Sequence, residues 1–184
     1  MKMRLKAATG AVVLAAGATT AVAIGSDSDK FRTGLNGFEE VAAVITDGHG
    51  SFDARLSPAG DQIDFELTYD DLEGGEVRQA HIHAGQRTAN GGIVAWLCDS
   101  ATNPAPEGVN VDTCPTPSGA ISGTITAADV EATTDVPAQG FRADADKFAK
   151  LLRALRAGVA YVNVHTATSP GGEVRGQILD RQDN

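Results

Sequence analysis

Three of the chain's four histidines occupy positions from which they could act together. His81-Ile82-His83 is an H-x-H pair in an apolar stretch that reads as a strand. Strand alternation sends both imidazoles to one face and Ile82 to the other. His165 closes a second such stretch, in which Tyr161, Asn163 and His165 alternate with Ala160, Val162 and Val164. A third stretch places Glu173, Arg175 and Gln177 opposite Val174 and Ile178. If these strands are neighbours, one polar patch holds His81, His83, His165, Asn163, Glu173 and Arg175. Three imidazoles suit copper or zinc. The other reading is a hydrogen-bonded network that ties strands together, with Glu173 and Arg175 paired to each other or to an imidazole. His49, in Asp47-Gly-His-Gly50, reads as a turn residue.

Other chemistry leaves no trace. The sequence has no G-x-S-x-G, no phosphate-binding Gly-rich loop, no H-E-x-x-H and no EF-hand spacing. Asp70-Asp71 follows a strand and reads as a solvated turn. The two cysteines, Cys98 and Cys114, flank a Pro-rich loop with little to bury. A disulfide there would restrict the unfolded chain, and their spacing is not the C-x-x-C of a zinc ligand pair.

The elements that must position these residues are mostly strands. Short alternating segments are cut by Gly, Pro, Asn and Asp clusters, which is the pattern of an antiparallel sandwich or barrel. The expected strands are 31–35, 51–56, 62–69, 77–84, 93–97, 120–125, 159–165 and 173–179. Ile63, Phe65, Leu67 and Tyr69, alternating with Asp64, Glu66 and Thr68, give the clearest period of two. One helix is expected over 145–157. Phe148, Leu151, Leu152 and Leu155 make its apolar stripe, Asp144 or Asp146 its start and Gly158 its end. Thr126 and Asp129 have the spacing of a small capping box.

The first residues read as an address. Lys2, Arg4 and Lys6 precede a small apolar run, and Ala21-Val22-Ala23 is a cleavage site, so residues 1–23 are expected to be a cleaved signal peptide. Residues 24–30 follow as a polar linker, 31–180 as one domain and 181–184 as a tail. The whole chain carries a net charge of −9, and losing the signal removes three cations and makes it more acidic. Such a surface argues against nucleic acid and against anionic membranes. No second apolar run is long enough to span a bilayer, so no membrane span is expected in the mature form.

Ala80-His81-Ile82-His83-Ala84-Gly85, followed by Asn90-Gly-Gly-Ile-Val94, resembles the first signature of the CHRD domain, the repeat of chordin and of many secreted bacterial proteins. Ser122–Asp129 resembles its middle segment, and Ala157–Thr166 with Pro170–Gln177 its closing signature. The opening Leu35–Val41 is similar to its start, so the resemblance runs from about Phe31 to Leu179. It implies a secreted module with an all-β fold: an antiparallel Greek-key β-sandwich of the immunoglobulin or superoxide dismutase type with one covering α-helix. A coarser likeness is to the copper/zinc superoxide dismutases, which also place H-x-H on one strand and a copper-binding His on a later one. No loop here carries the further His and Asp ligands of their zinc site, and only His49 remains as a fourth imidazole.

These readings converge on a non-enzymatic module, secreted, periplasmic or at the cell surface, with a Cys98–Cys114 disulfide, no catalytic residue and no required cofactor. Its partner would be an extracellular protein or polymer. The alternative is a copper- or zinc-binding protein using His81, His83 and His165, with dismutase-like chemistry as its extension.

Overall fold

A computed structural model describes residues 30–131, 139–141 and 145–181 of the chain. The expected signal peptide, most of the linker, the Asp144 cap and the last tail residues lie outside the described residues. Nine strands are described: β1 (Lys30–Asn36), β2 (His49–Leu56), β3 (Gln62–Asp70), β4 (Val77–Ala84), β5 (Gly92–Cys98), β6 (Gly119–Thr126), β7 (Ala160–Thr166), β8 (Val174–Gln177) and β9 (Leu179–Asp180). One helix, α1 (Lys147–Arg156), precedes β7.

The strands join into a single antiparallel sheet in the order β5-β4-β7-β8-β1-β2-β3-β6, with β9 on β1. The sheet curls until its end strands β5 and β6 approach, so the shape is nearly a barrel. Val130 bridges to Ala95 near the gap. One half of the sheet is β1, β2, β3 and β6, and the other is β5, β4, β7 and β8. The halves meet at the single pair Asn36–Arg175, with β9 reinforcing β1.

The two halves differ in burial. In β3 the apolar positions Ile63, Phe65, Leu67 and Tyr69 are buried while Asp64 and Glu66 are exposed, so one face lines the core and the other meets water. In β7 and β8 every residue is buried. Ala160, Val162, Val164 and Val174 belong to the apolar core. Their polar neighbours lie on the opposite face, and that face is covered as well.

Helix α1 contributes Phe148, Leu151, Leu152, Ala154 and Leu155 to the core, the expected stripe plus one alanine. Asp146 stands at its N-terminus but makes no side-chain cap hydrogen bond. Gly158, at φ 63°, turns the chain in the left-handed region just beyond the helix, as expected. Thr126 donates to Asp129 through its N–H and its hydroxyl, and the Asp129 N–H returns to Thr126 O, closing a single turn. Two further expectations are corrected. His49 begins β2, paired with Asn36 and Asp70, instead of sitting in a turn. The strand expected over 173–179 is two pieces, β8 and β9, with Ile178 between them giving its N–H to Ala160 O in register with the β7–β8 pairs. Cys98 and Cys114 form the expected disulfide, with Cα atoms 5.1 Å apart. No helix among the described residues is long and apolar enough to cross a membrane.

Candidate functional site

The pairing of β4 with β7 builds the site. His81 lies opposite Asn163, His83 opposite Tyr161, and Gln79 opposite His165. The pairing of β7 with β8 then sets Arg175 opposite Asn163 and Gln177 opposite Tyr161. Because side chains alternate, all of these share the face turned away from the barrel interior. That face is not wet. His81 is fully buried, and His83 and His165 keep only 7% and 6% of their surface.

Three segments cover it. The 37–48 segment starts with a 3-10 turn at Gly37–Glu39, capped by Asn36, whose side chain accepts from Phe38 and Glu39 N–H. It turns Glu40 inward and leaves Phe38 and Ile45 outside, 68% and 79% exposed. The 85–91 segment connects β4 to β5, and its Arg87 pairs with Glu39. The third segment, 167–173, connects β7 to β8.

The imidazoles lie close together. His81 Nδ1 is 3.2 Å from His165 Nε2, and one ring nitrogen of each histidine lies within 4.8 Å of the other two. His165 Nδ1 donates to Pro170 O at 3.0 Å, and His83 Nδ1 donates to Gly91 O at 2.9 Å. His165 Nε2 is also 3.0 Å from Asn163 Oδ1. The His83 ring stacks on Tyr161 with an interplanar angle of 2°, and His81 meets the Trp96 indole edge-on at 4.2 Å between centroids. Burial, and then the charges of His165 and His83, hold His81 well below the ordinary imidazole range. Burial takes His83 down to about 4, against a smaller opposing pull from Gly91 O. Burial lowers His165 too. All three shifts favour the neutral ring.

The charged residues do not behave as the sequence suggests. Glu173 and Arg175 pair neither with each other nor with an imidazole. Glu173 accepts from Thr46 Oγ1 (2.9 Å) and Glu73 N–H (2.7 Å) on one oxygen, and from Gly74 N–H (2.9 Å) and Thr166 Oγ1 (2.7 Å) on the other. Burial works to raise its pKa, but these four bonds hold it below the ordinary carboxylate value. The backbone passes so close that a Cβ on Gly74 would lie 2.4 Å from Glu173 Oε2. Arg175 donates to Gln86 O and Ala89 O, each at 2.9 Å, and to Asn90 Oδ1 at 3.3 Å. Its guanidinium carbon lies 3.3 Å from the Tyr161 ring centroid, a desolvated cation–π contact. Glu173 thus fastens Thr46 and the 73–74 backbone, and Arg175 fastens the 85–91 segment.

Glu40 has no sequence signal, because it sits in a loop without periodicity and acidic loop residues are ordinarily solvated. It is buried, and its Oε1 has no hydrogen-bond partner. Burial raises its carboxyl to about 7, against the pull of Arg175, the Asn163 amide and the Val41 N–H. Trp96 and Gln177 likewise escape the sequence reading as site residues. Trp96 walls His81, and Gln177 Nε2 donates to Gly85 O, Gly158 O and Ala160 O.

Compared with protein families, residues 31–178 match the CHRD domain. No curated protein matches the chain.

Proposed function

The chain belongs to the CHRD domain family, and from that footing we propose that it works as an exported, non-enzymatic module with a binding or structural role outside the cytoplasm. The observation that carries this reading is the engagement of Glu173 and Arg175 on the polar face, while Glu40, which keeps a free oxygen and a pKa of about 7, is buried rather than open to a substrate. A carboxylate able to act as general base needs a free oxygen near substrate and a pKa near the working pH. Glu173 has both oxygens occupied and a lowered pKa. Arg175 is turned to backbone carbonyls rather than to an opening where an oxyanion could sit. These groups hold loops.

Export is supported by the basic start, the Ala21-Val22-Ala23 site and a disulfide suited to an oxidising compartment. The Greek-key sandwich reading is supported by the strand order, in which β6 returns beside β3 and β7 beside β4. The partner class remains an extracellular protein or polymer.

Two experiments test the proposal. Cell fractionation with N-terminal sequencing should recover a chain beginning at Ile24 outside the cytoplasm. An uncleaved cytoplasmic chain would refute export. The purified chain, screened for ester, peptide and glycoside hydrolysis and for redox turnover, with and without copper and zinc, should stay at the blank rate. Turnover above the blank that is lost in a folded Glu40→Gln or Glu173→Gln variant, or that appears only with copper or zinc, would overturn the non-enzymatic reading.

A further inference from the structure

A neutral imidazole has one proton and two nitrogens, and a carbonyl oxygen only accepts. The contacts of His165 Nδ1 with Pro170 O and of His83 Nδ1 with Gly91 O therefore place the proton on Nδ1 in both rings. Each Nε2 is left with a lone pair. His83 Nε2 is buried with no partner in hydrogen-bond geometry. His165 Nε2 faces Asn163 Oδ1, an acceptor whenever the amide nitrogen points to Gly171 O as it does here. Its other neighbour is His81 Nδ1. His81 Nε2 is also buried and unpartnered. Two of the three ring protons are committed to carbonyls, so one proton is left for three lone pairs. In a purely structural network, each orphaned buried group costs about 1–3 kcal/mol.

The same features are what a metal asks of its ligands. Metal-binding histidines are neutral and commonly fix their tautomer by giving the second N–H to a backbone carbonyl. Nitrogens about 2.0–2.1 Å from a tetrahedral ion lie about 3.3 Å from one another. The His81 Nδ1 to His165 Nε2 separation is 3.2 Å, and the third ring is within 4.8 Å. Among the described residues the group placed to hold an ion is these three histidines with no carboxylate, so the donor set is all nitrogen. That set suits late transition ions and disfavours calcium and magnesium, which need oxygen.

We propose that His81, His83 and His165 form a mononuclear binding site for a copper or zinc ion. By the general affinity order for divalent ions, copper binds more tightly. The site goes beyond the module reading and does not depend on it, since a held ion need not turn over any substrate.

The chain's single tryptophan reports on the site, because the Trp96 and His81 ring centroids are 4.2 Å apart. Cu(II) added to the purified, metal-free chain should quench tryptophan fluorescence and saturate at one equivalent. Prior zinc should block the quenching. In His83→Gln and His165→Gln the affinity should fall by about 100-fold or more, since even outer-shell losses cost 10–100-fold. Pulsed electron paramagnetic resonance of the copper-loaded wild type should count three imidazoles, which keeps the test decisive if the variants do not fold. Stoichiometric copper without quenching, unchanged affinity in folded variants, or fewer than three imidazoles would each overturn the proposal.

Discussion

His81 Nδ1 stands 3.2 Å from His165 Nε2 across two neighbouring strands, on a sheet face that turns away from the core and is still sealed from water. Two imidazoles at that distance in a dry setting cannot both be charged. The protonation behaviour of the fold follows from that contact.

The buried histidines predict acid sensitivity. Their ordinary pKa is 6.5, while in the fold His83 is at about 4 and His81 and His165 are lowered too. Between these values the unfolded chain binds protons that the folded chain refuses, so stability falls as pH drops from about 6.5 to about 4. Above pH 7 the rings contribute no pH dependence. His83 alone is expected to account for about 2–3 kcal/mol across the window. Urea unfolding at pH 7.5 and 4.5 of a Glu40→Gln variant, which lacks the opposing titration of Glu40, measures it, and an unchanged midpoint with unchanged slope would contradict it.

Glu40 works in the opposite direction. Its folded pKa of about 7 lies above the ordinary 4.5, so the folded chain carries the extra proton between these values and this contribution is lost as pH rises. Arg175 and Tyr161 are the other titratable groups facing it. Glu40→Gln mimics the protonated form. It should raise stability at pH 8 by about 1–3 kcal/mol and make the loss on acidification steeper. A variant less stable than wild type at pH 8 would show that the ionised carboxylate is needed.

Much of this site could be read from alternation. His81, His83, Asn163, His165 and Arg175 share a face because their parity along β4, β7 and β8 allows nothing else once the strands pair. Parity does not say whether a face is wet. That depends on the 37–48, 85–91 and 167–173 segments, which have no repeating pattern. Glu40 was invisible for the same reason, and so was the use of Glu173, whose four partners lie in three separate stretches of chain. The strand order, too, rests on long-range pairs such as Asn36 with Arg175, which no local window contains.

Arg175 should not tolerate lysine. Its planar fork serves Gln86 O, Ala89 O and Asn90 Oδ1 and lies over Tyr161. A single ammonium reproduces neither the fork nor the stacking. Arg175→Lys is expected to cost about 2–4 kcal/mol, through carbonyls left unsatisfied and a charge poorly placed. Amide hydrogen exchange should speed up first in 85–91, and equal loss of protection everywhere would argue against local fastening.

The disulfide closes a separation of 16 residues at the end of β5. In the chain-entropy model a loop of about 15 residues contributes about 3 kcal/mol. The Cys98→Ala, Cys114→Ala double variant should lose that amount in denaturant unfolding while the β-sheet signal is retained. A loss below about 1 kcal/mol would mean that the loop is already ordered in the unfolded chain.

The most direct test of the account concerns Glu173. If the carboxylate is a fastener, Glu173→Gln replaces charge-assisted bonds from Thr46, Glu73, Gly74 and Thr166 and should lower unfolding free energy at pH 7 by about 2–4 kcal/mol. If it is instead a group kept for catalysis at the expense of the fold, its removal should leave stability unchanged or raise it. Equilibrium urea unfolding of wild type and variant at pH 7 separates the two. A clear loss supports the module reading, and equal or greater stability contradicts it.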